Sequence, residues 1–136
     1  MSRLVLEQEE VELTDISDNV LALSAARHMA ERIGFTEVEQ SLIATAVSEL
    51  STNAVRYGGG GVLILRHISN CKGEGIEVEA VDSGPGIADI DQALTDSYST
   101  AQSLGLGLPG VRRIMDEFVI ESSEECGTRC VARKWR

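Results

Sequence analysis

Asp82-Ser83-Gly84-Pro85-Gly86-Ile87 closes the strand-like run Ile76-Glu77-Val78-Glu79-Ala80-Val81. Successive strand side chains point to opposite faces, so Ile76, Val78 and Ala80 share an apolar face and Asp82 falls on that same face. A carboxylate at the end of a core-facing row is costly unless something pairs with it. The glycine, proline and glycine that follow allow a backbone to pass very close to a ligand. A part-buried acceptor beside a bare glycine turn reads as a site for a donor-bearing ligand.

Working outward, the pattern predicts nine elements. Leu4 to Leu13 alternates in stretches and reads as one bent strand or a hairpin. A helix is expected from Asp15 or Ser17 to Ile33, with Ile16, Val20, Leu23, Ala26, Ala30 and Ile33 at helical spacing and Gly34 as its stop. Thr36-Glu37-Val38-Glu39 has the form of a capping box and opens a second helix to Tyr57. Strands are expected at Val62–His67 and Ile76–Asp82, joined by a turn over Ser69–Gly75. A short helix at Ile90–Thr95, a helix at Leu108–Glu117 with Pro109 in its first turn, and a hairpin of Phe118–Ser122 with Thr128–Trp135 complete the chain. This order predicts an α+β two-layer sandwich, with helices on one face of a mixed β-sheet. The 136 residues read as one domain, 1–136.

The second helix carries two polar anomalies. Leu42, Ala46, Glu49 and Asn53 step by four, three and four, which puts them in one row. The adjoining row of Ile43, Val47, Leu50 and Ala54 stays apolar. Either the stripe rotates and both polar side chains meet water, or the helix end and the Asp82 loop build a site together. In such a site an asparagine oxygen can take one position on Mg²⁺. A carboxylate one turn earlier can accept a proton from an attacking hydroxyl.

The glycine-rich segments differ in meaning. Gly58-Gly59-Gly60-Gly61 follows a helix, precedes a strand and lacks a Gly-Lys-Ser/Thr ending, so it is a helix stop and turn rather than a phosphate loop. Gly105-Leu106-Gly107-Leu108-Pro109-Gly110 precedes a helix, whose free N–H groups can point at an anion, and Ser99, Thr100 and Ser103 stand just upstream.

Charge and composition exclude several classes. A net charge of −10 argues against a nucleic-acid surface, which needs a basic patch. No apolar run approaches the roughly 18 residues of a membrane span. The acidic N-terminal stretch leaves no room for a signal peptide, so a cytoplasmic location is expected. Three cysteines, Cys71, Cys126 and Cys130, form no CxxC pair and read as reduced thiols, and His28 and His67 read as structural or solvated.

Glu49-Leu50-Ser51-Thr52-Asn53 resembles the N box of the GHKL superfamily, Asp82-Ser83-Gly84-Pro85-Gly86-Ile87 its G1 box, and Gly105-Leu106-Gly107-Leu108 its G2 box. Gly127-Thr128 is similar to that family's late threonine. The resemblance spans nearly the whole chain and is strongest to the small serine kinases of bacterial partner switching, of the stressosome type. It implies the Bergerat fold and ATP with Mg²⁺ as cofactors. Asp82 would accept from the adenine amino group, Gly84 and Gly86 would pass beside the base, and Thr128 would help to read the adenine edge. Asn53 would hold Mg²⁺ and Glu49 would be the catalytic base. Gly105, Gly107 and the following amides would hold phosphates under a short lid carrying Ser99, Thr100 and Ser103. Ile87, Leu106 and Leu108 belong to the same nucleotide-binding set. One departure is that no Lys or Arg occurs from Ser83 to Gly110, which leaves Mg²⁺, amides and Arg56 to neutralise the γ-phosphate.

Gyrase-like ATPases and histidine kinases of this superfamily need further domains, so the expectation is a stand-alone protein serine/threonine kinase. The resemblance implies STAS-domain scaffold or antagonist proteins as substrates and a PP2C-type phosphatase as a second partner, with no nucleic acid and no membrane. Two alternatives stand beside it: an anti-sigma factor kinase that sequesters a sigma factor, and a non-catalytic nucleotide-dependent binding module.

Overall fold

The computed structural model describes residues 4–82, 107–123 and 127–136. Their elements run β1 (Leu4–Leu13), α1 (Asp18–Ile33), α2 (Glu37–Gly58), β2 (Gly61–Asn70), β3 (Gly73–Asp82), α3 (Gly107–Ile114), β4 (Glu117–Ser123) and β5 (Gly127–Trp135). This is the expected order, and an α+β sandwich results. The short helix expected at Ile90–Thr95 lies outside the described residues.

The expectation of a mixed sheet is corrected. The five strands lie in the order β1-β2-β3-β5-β4, and every neighbouring pair is antiparallel. β3 and β4 run the same way, but β5 inserts between them, so no parallel pair forms among the described residues. β1 is one strand with a register shift between Val5 and Glu7, which accounts for its broken alternation.

Two boundaries also move. The turn between β2 and β3 is a two-residue link, Cys71-Lys72, rather than Ser69–Gly75. The Asn70 carboxamide oxygen accepts the Lys72 N–H at 2.8 Å and Gly73 takes φ +146°, so side-chain turn chemistry closes the hairpin and lengthens both strands. α3 stops at Ile114, before the expected Glu117. Lys134 donates to the Ile114 carbonyl at 3.0 Å, and the Asp116 N–H donates to the Arg133 carbonyl at 2.9 Å, so pairing with β5 takes over there.

The helix ends follow the local code. Gly34 closes α1 with φ 107°, and Thr36 with Glu39 forms the capping box reciprocally. The core between helices and sheet holds Leu63, Leu65, Ile76 and Val78 against Ile43, Val47 and Leu50. Each fully buried side chain of this size contributes about 1.5–3 kcal/mol. On α1 the buried stripe is Ala22, Ala26, Met29, Ala30 and Ile33. Val20 and Ile16 are exposed, contrary to the spacing argument, because α1 begins at Asp18 and lays its small alanines on the core.

The glycine run is a connector, as expected. Gly59 and Gly60 take φ 74° and 112°, and a Cβ on Gly61 would meet the Val81 carbonyl oxygen at 2.0 Å. This close approach sets Gly61 opposite Asp82 in the β2–β3 register. The end of α2 is thereby tied to the end of β3.

Candidate active site

Glu49 lies on the core-facing side of α2 and is 1 % exposed. The rotation of the stripe into water therefore does not occur at Glu49. Asn53, one turn further on, is half-buried. Ala46 and Leu50, which flank Glu49 on the helix face, are buried with the core. The end of β3 is tied to this helix end through the Gly59–Gly61 link, where Gly61 pairs with Asp82.

Asp82 ends β3, half-buried, in the same alternation as buried Ile76, Val78 and Ala80. One of its carboxylate oxygens accepts the Thr128 N–H at 3.3 Å. Thr128 itself is buried, and its hydroxyl shares a hydrogen bond of 2.9 Å with the Ser122 hydroxyl. Burial pushes the Cys130 thiol up to about 12, and the Asp82 charge adds to that rise. The structure brings together Asp82 and Thr128, which are 46 residues apart in sequence.

α3 starts at Gly107, and Leu108 and Val111 anchor it in the core. Its first N–H groups have no partner within the helix, an arrangement that suits an anion. α3 packs against α2, the helix of Glu49 and Asn53. Its far end is held by the Lys134 contact with Ile114 and by the Trp135 N–H, which donates to Asp116 at 2.8 Å. Gly84, Gly86, Ile87, Ser99, Thr100, Ser103, Gly105 and Leu106 lie outside the described residues. Arg56 is exposed in the last turn of α2.

Two groupings were not read from the sequence. Asn19 of α1 donates to the Ser48 hydroxyl at 3.0 Å and accepts from the Ser51 hydroxyl, so a polar clasp flanks Glu49 on α2. Ser48 and Ser51, three apart on one helix face, were the available signal. On the opposite face of the sheet, Glu77 meets Arg66 and Arg133, each at 2.7 Å, and Glu79 meets Arg66 at 2.8 Å and also Arg129. Arg66 on β2 and Arg129 and Arg133, four apart on one face of β5, were the signal there.

No group of three or more His, Cys, Asp or Glu among the described residues is placed to hold a metal ion. Cys71 is exposed at its turn, Cys130 is buried, and the His67 Nε2 lies 2.6 Å from Glu74. No described helix is long and apolar enough to cross a membrane.

Comparison with known proteins places this geometry. The chain is 42 % identical over 118 residues to the serine/threonine-protein kinase RsbT of Bacillus subtilis (strain 168), covering 87 % of this chain and 89 % of that protein. It is 34 % identical over 103 residues to an anti-sigma F factor of Clostridium botulinum (strain Eklund 17B / Type B), covering 71 % of each. A chain in the crystal structure of the SiaB–SiaC complex from Pseudomonas aeruginosa shares the fold, with a TM-score of 0.52 at 13 % identity over 96 % of this chain and 89 % of that one. The model of the histidine kinase-like ATPase domain matches residues 14–134, and the chain belongs to that family.

Proposed function

We propose that this protein is an ATP-dependent serine/threonine kinase that phosphorylates a STAS-domain protein in a bacterial partner-switching pathway. The observation that carries the reading is Glu49, a carboxylate withdrawn from solvent on α2, one turn before Asn53, on the helix whose end is linked through Gly61 to the strand end that holds Asp82. Similarity to a protein serine/threonine kinase over most of both chains supports it.

Asp82 accepts from the adenine amino group, and Thr128 reads the adjacent edge of the base. Gly84, Gly86 and Ile87 border the base. Gly105, Leu106, Gly107 and Leu108, with the first amides of α3, cradle the phosphates under Ser99, Thr100 and Ser103. Asn53 is a half-buried neutral oxygen donor, which fits the hard, mostly hydrated coordination of Mg²⁺. A magnesium ion held there would supply positive charge to the transferring phosphoryl group. Glu49 takes the proton of the substrate hydroxyl as its oxygen bonds to the γ-phosphorus and the bond to the β-phosphate oxygen breaks. Phosphate added to the substrate's docking surface brings negative charge and releases the complex. The freed kinase then engages a PP2C-type phosphatase. Exposed Cys71 and buried Cys130 as free thiols suit a cytoplasmic, reducing setting.

The test is transfer of radiolabel from γ-labelled ATP to a serine or threonine of a STAS-domain protein, with wild type and Glu49→Gln. Label that depends on Glu49 is the expected result; equal labelling by the variant removes its role as base. Similarity to an anti-sigma F factor favours one second reading. Affinity capture with ATP and with ADP separates the two: recovery of a STAS protein and a phosphatase supports the switch kinase, and recovery of a sigma factor supports the alternative.

A further inference from the structure

The edge of the sheet formed by β1, two strands from Asp82, has features that the kinase reading does not use. Among the described residues β1 pairs with β2 alone, so its outer edge presents unpaired N–H and C=O groups. A groove of about 560 Å³ runs between this edge and α1. Val11, Leu21 and Ala25 supply its apolar lining, and Glu9, Glu12 and His28 its polar rim. Leu21 is 62 % exposed and its neighbour Val20 68 %, although α1 has buried its alanines on the other side.

Charge decides what the groove takes. Its lining includes Glu9, Glu10, Glu12 and Asp18 and neither lysine nor arginine. Glu7, further along β1, is already paired with Arg32 at 2.9 Å. Glutamates on an edge strand commonly serve only to discourage aggregation. That role explains the charges but not an outward Leu21 beside an apolar groove floor. A second copy paired antiparallel along the groove-lining part of β1 fits poorly: pairing centred on Gln8 sets Glu7 against Glu9, and like charges directly opposite destabilise a sheet.

We propose that the β1 edge and the β1–α1 groove dock an extended segment of a partner protein in which basic and apolar residues alternate. The segment adds a strand to β1 through backbone hydrogen bonds. Its apolar side chains enter the groove against Leu21 and Ala25, and its basic side chains meet the β1 glutamates. This goes beyond the kinase reading, since the surface would dock such a segment whether or not the nucleotide site transfers phosphate.

The probe is an end-blocked dodecapeptide of alternating lysine and valine, titrated into the ¹⁵N-labelled protein and followed by NMR. Chemical-shift changes confined to Glu9–Thr14 and Leu21–His28 are expected, with affinity falling about tenfold for Leu21→Lys and falling as salt is raised. The same peptide N-methylated at alternate residues keeps its charge but cannot pair as a strand, and is expected not to bind. Equal binding of the N-methylated peptide or of a glutamate–valine peptide overturns the proposal, as does a failure of the lysine–valine peptide to bind. Concentration-dependent shifts at the same residues without peptide would assign the edge to a second copy instead. Leu21 is a surface residue, so the variant's unchanged spectrum elsewhere reports that it is folded.

Discussion

β3 carries acids on both faces, and the two sets are built differently. On the outer face Glu77 is fully buried and Glu79 nearly so, yet arginines of neighbouring strands contact both. Burial works against the charge on Glu79, but the hydrogen bonds and charges of Arg129 and Arg66 outweigh it and hold its carboxyl below the ordinary range. On the helix face Asp82 is only half-buried and accepts the N–H of Thr128. Depth of burial therefore does not tell which acid is left for a ligand. The outer pair is matched by full positive charges that belong to the sheet, and it serves cohesion. The helix-side acids are Asp82, half-buried at its strand end opposite Gly61, and Glu49, withdrawn from solvent on α2.

Substitutions can break this contrast. Glu49→Ala is expected to reduce phosphoryl transfer by about a hundredfold or more while leaving ATP affinity nearly unchanged, as for loss of a general base. Transfer assays and calorimetry on the same preparation check both halves. Asp82→Asn is expected to weaken ATP binding by up to about a hundredfold, the size of a lost charge-assisted hydrogen bond. Equal calorimetric affinity would remove Asp82 from the adenine site and bring it closer in kind to Glu77.

Glu77→Ala should do the opposite. It leaves Arg66 and Arg133 facing each other across β3, and is expected to lower stability by about 2 kcal/mol, below the usual figure for a buried pair because both arginines reach solvent. Urea denaturation measures the loss, and transfer per folded molecule should stay at the wild-type level. The smallest effect concerns acid. A depressed carboxyl such as Glu79 stabilises the fold above its unfolded value of 4.5, and that contribution is lost as pH falls through the lower folded value. Denaturation midpoints taken downward from pH 5 should fall less steeply in Glu79→Gln than in wild type.

Much of the fold was legible because its signals are local. The capping box at Thr36, the stop at Gly34 and the glycine link after α2 each depend on a few adjacent residues, and each forms as expected. The α1 stripe forms as expected at Ala26, Ala30 and Ile33 but not at Ile16 and Val20, because helical spacing alone does not say which of two apolar rows faces the core. Small Ala22, Ala26 and Ala30 were preferred there over larger Val20. The sheet was expected to be mixed because the order of strands along the chain does not state the order in space.

In the candidate site, Glu49, Asn53 and Asp82 could be named from the sequence because each breaks an apolar period, and a polar group in a core row is conspicuous at any distance. What the row could not tell was whether water reached it, and packing of α2 on sheet and helices settled that for Glu49. The Asn19 clasp and the arginine pairs on the outer face were invisible for a related reason: an ion pair across strands depends on register, and a one-residue slip would turn every partner to the other face. By itself the sequence determined the order of the elements, the helix caps and which polar residues sit out of place, since those follow from the backbone's short-range sterics and from periodicity. Only the tertiary structure decided which acids meet arginines and which lie beside Thr128, because those contacts join residues 11 to 56 positions apart.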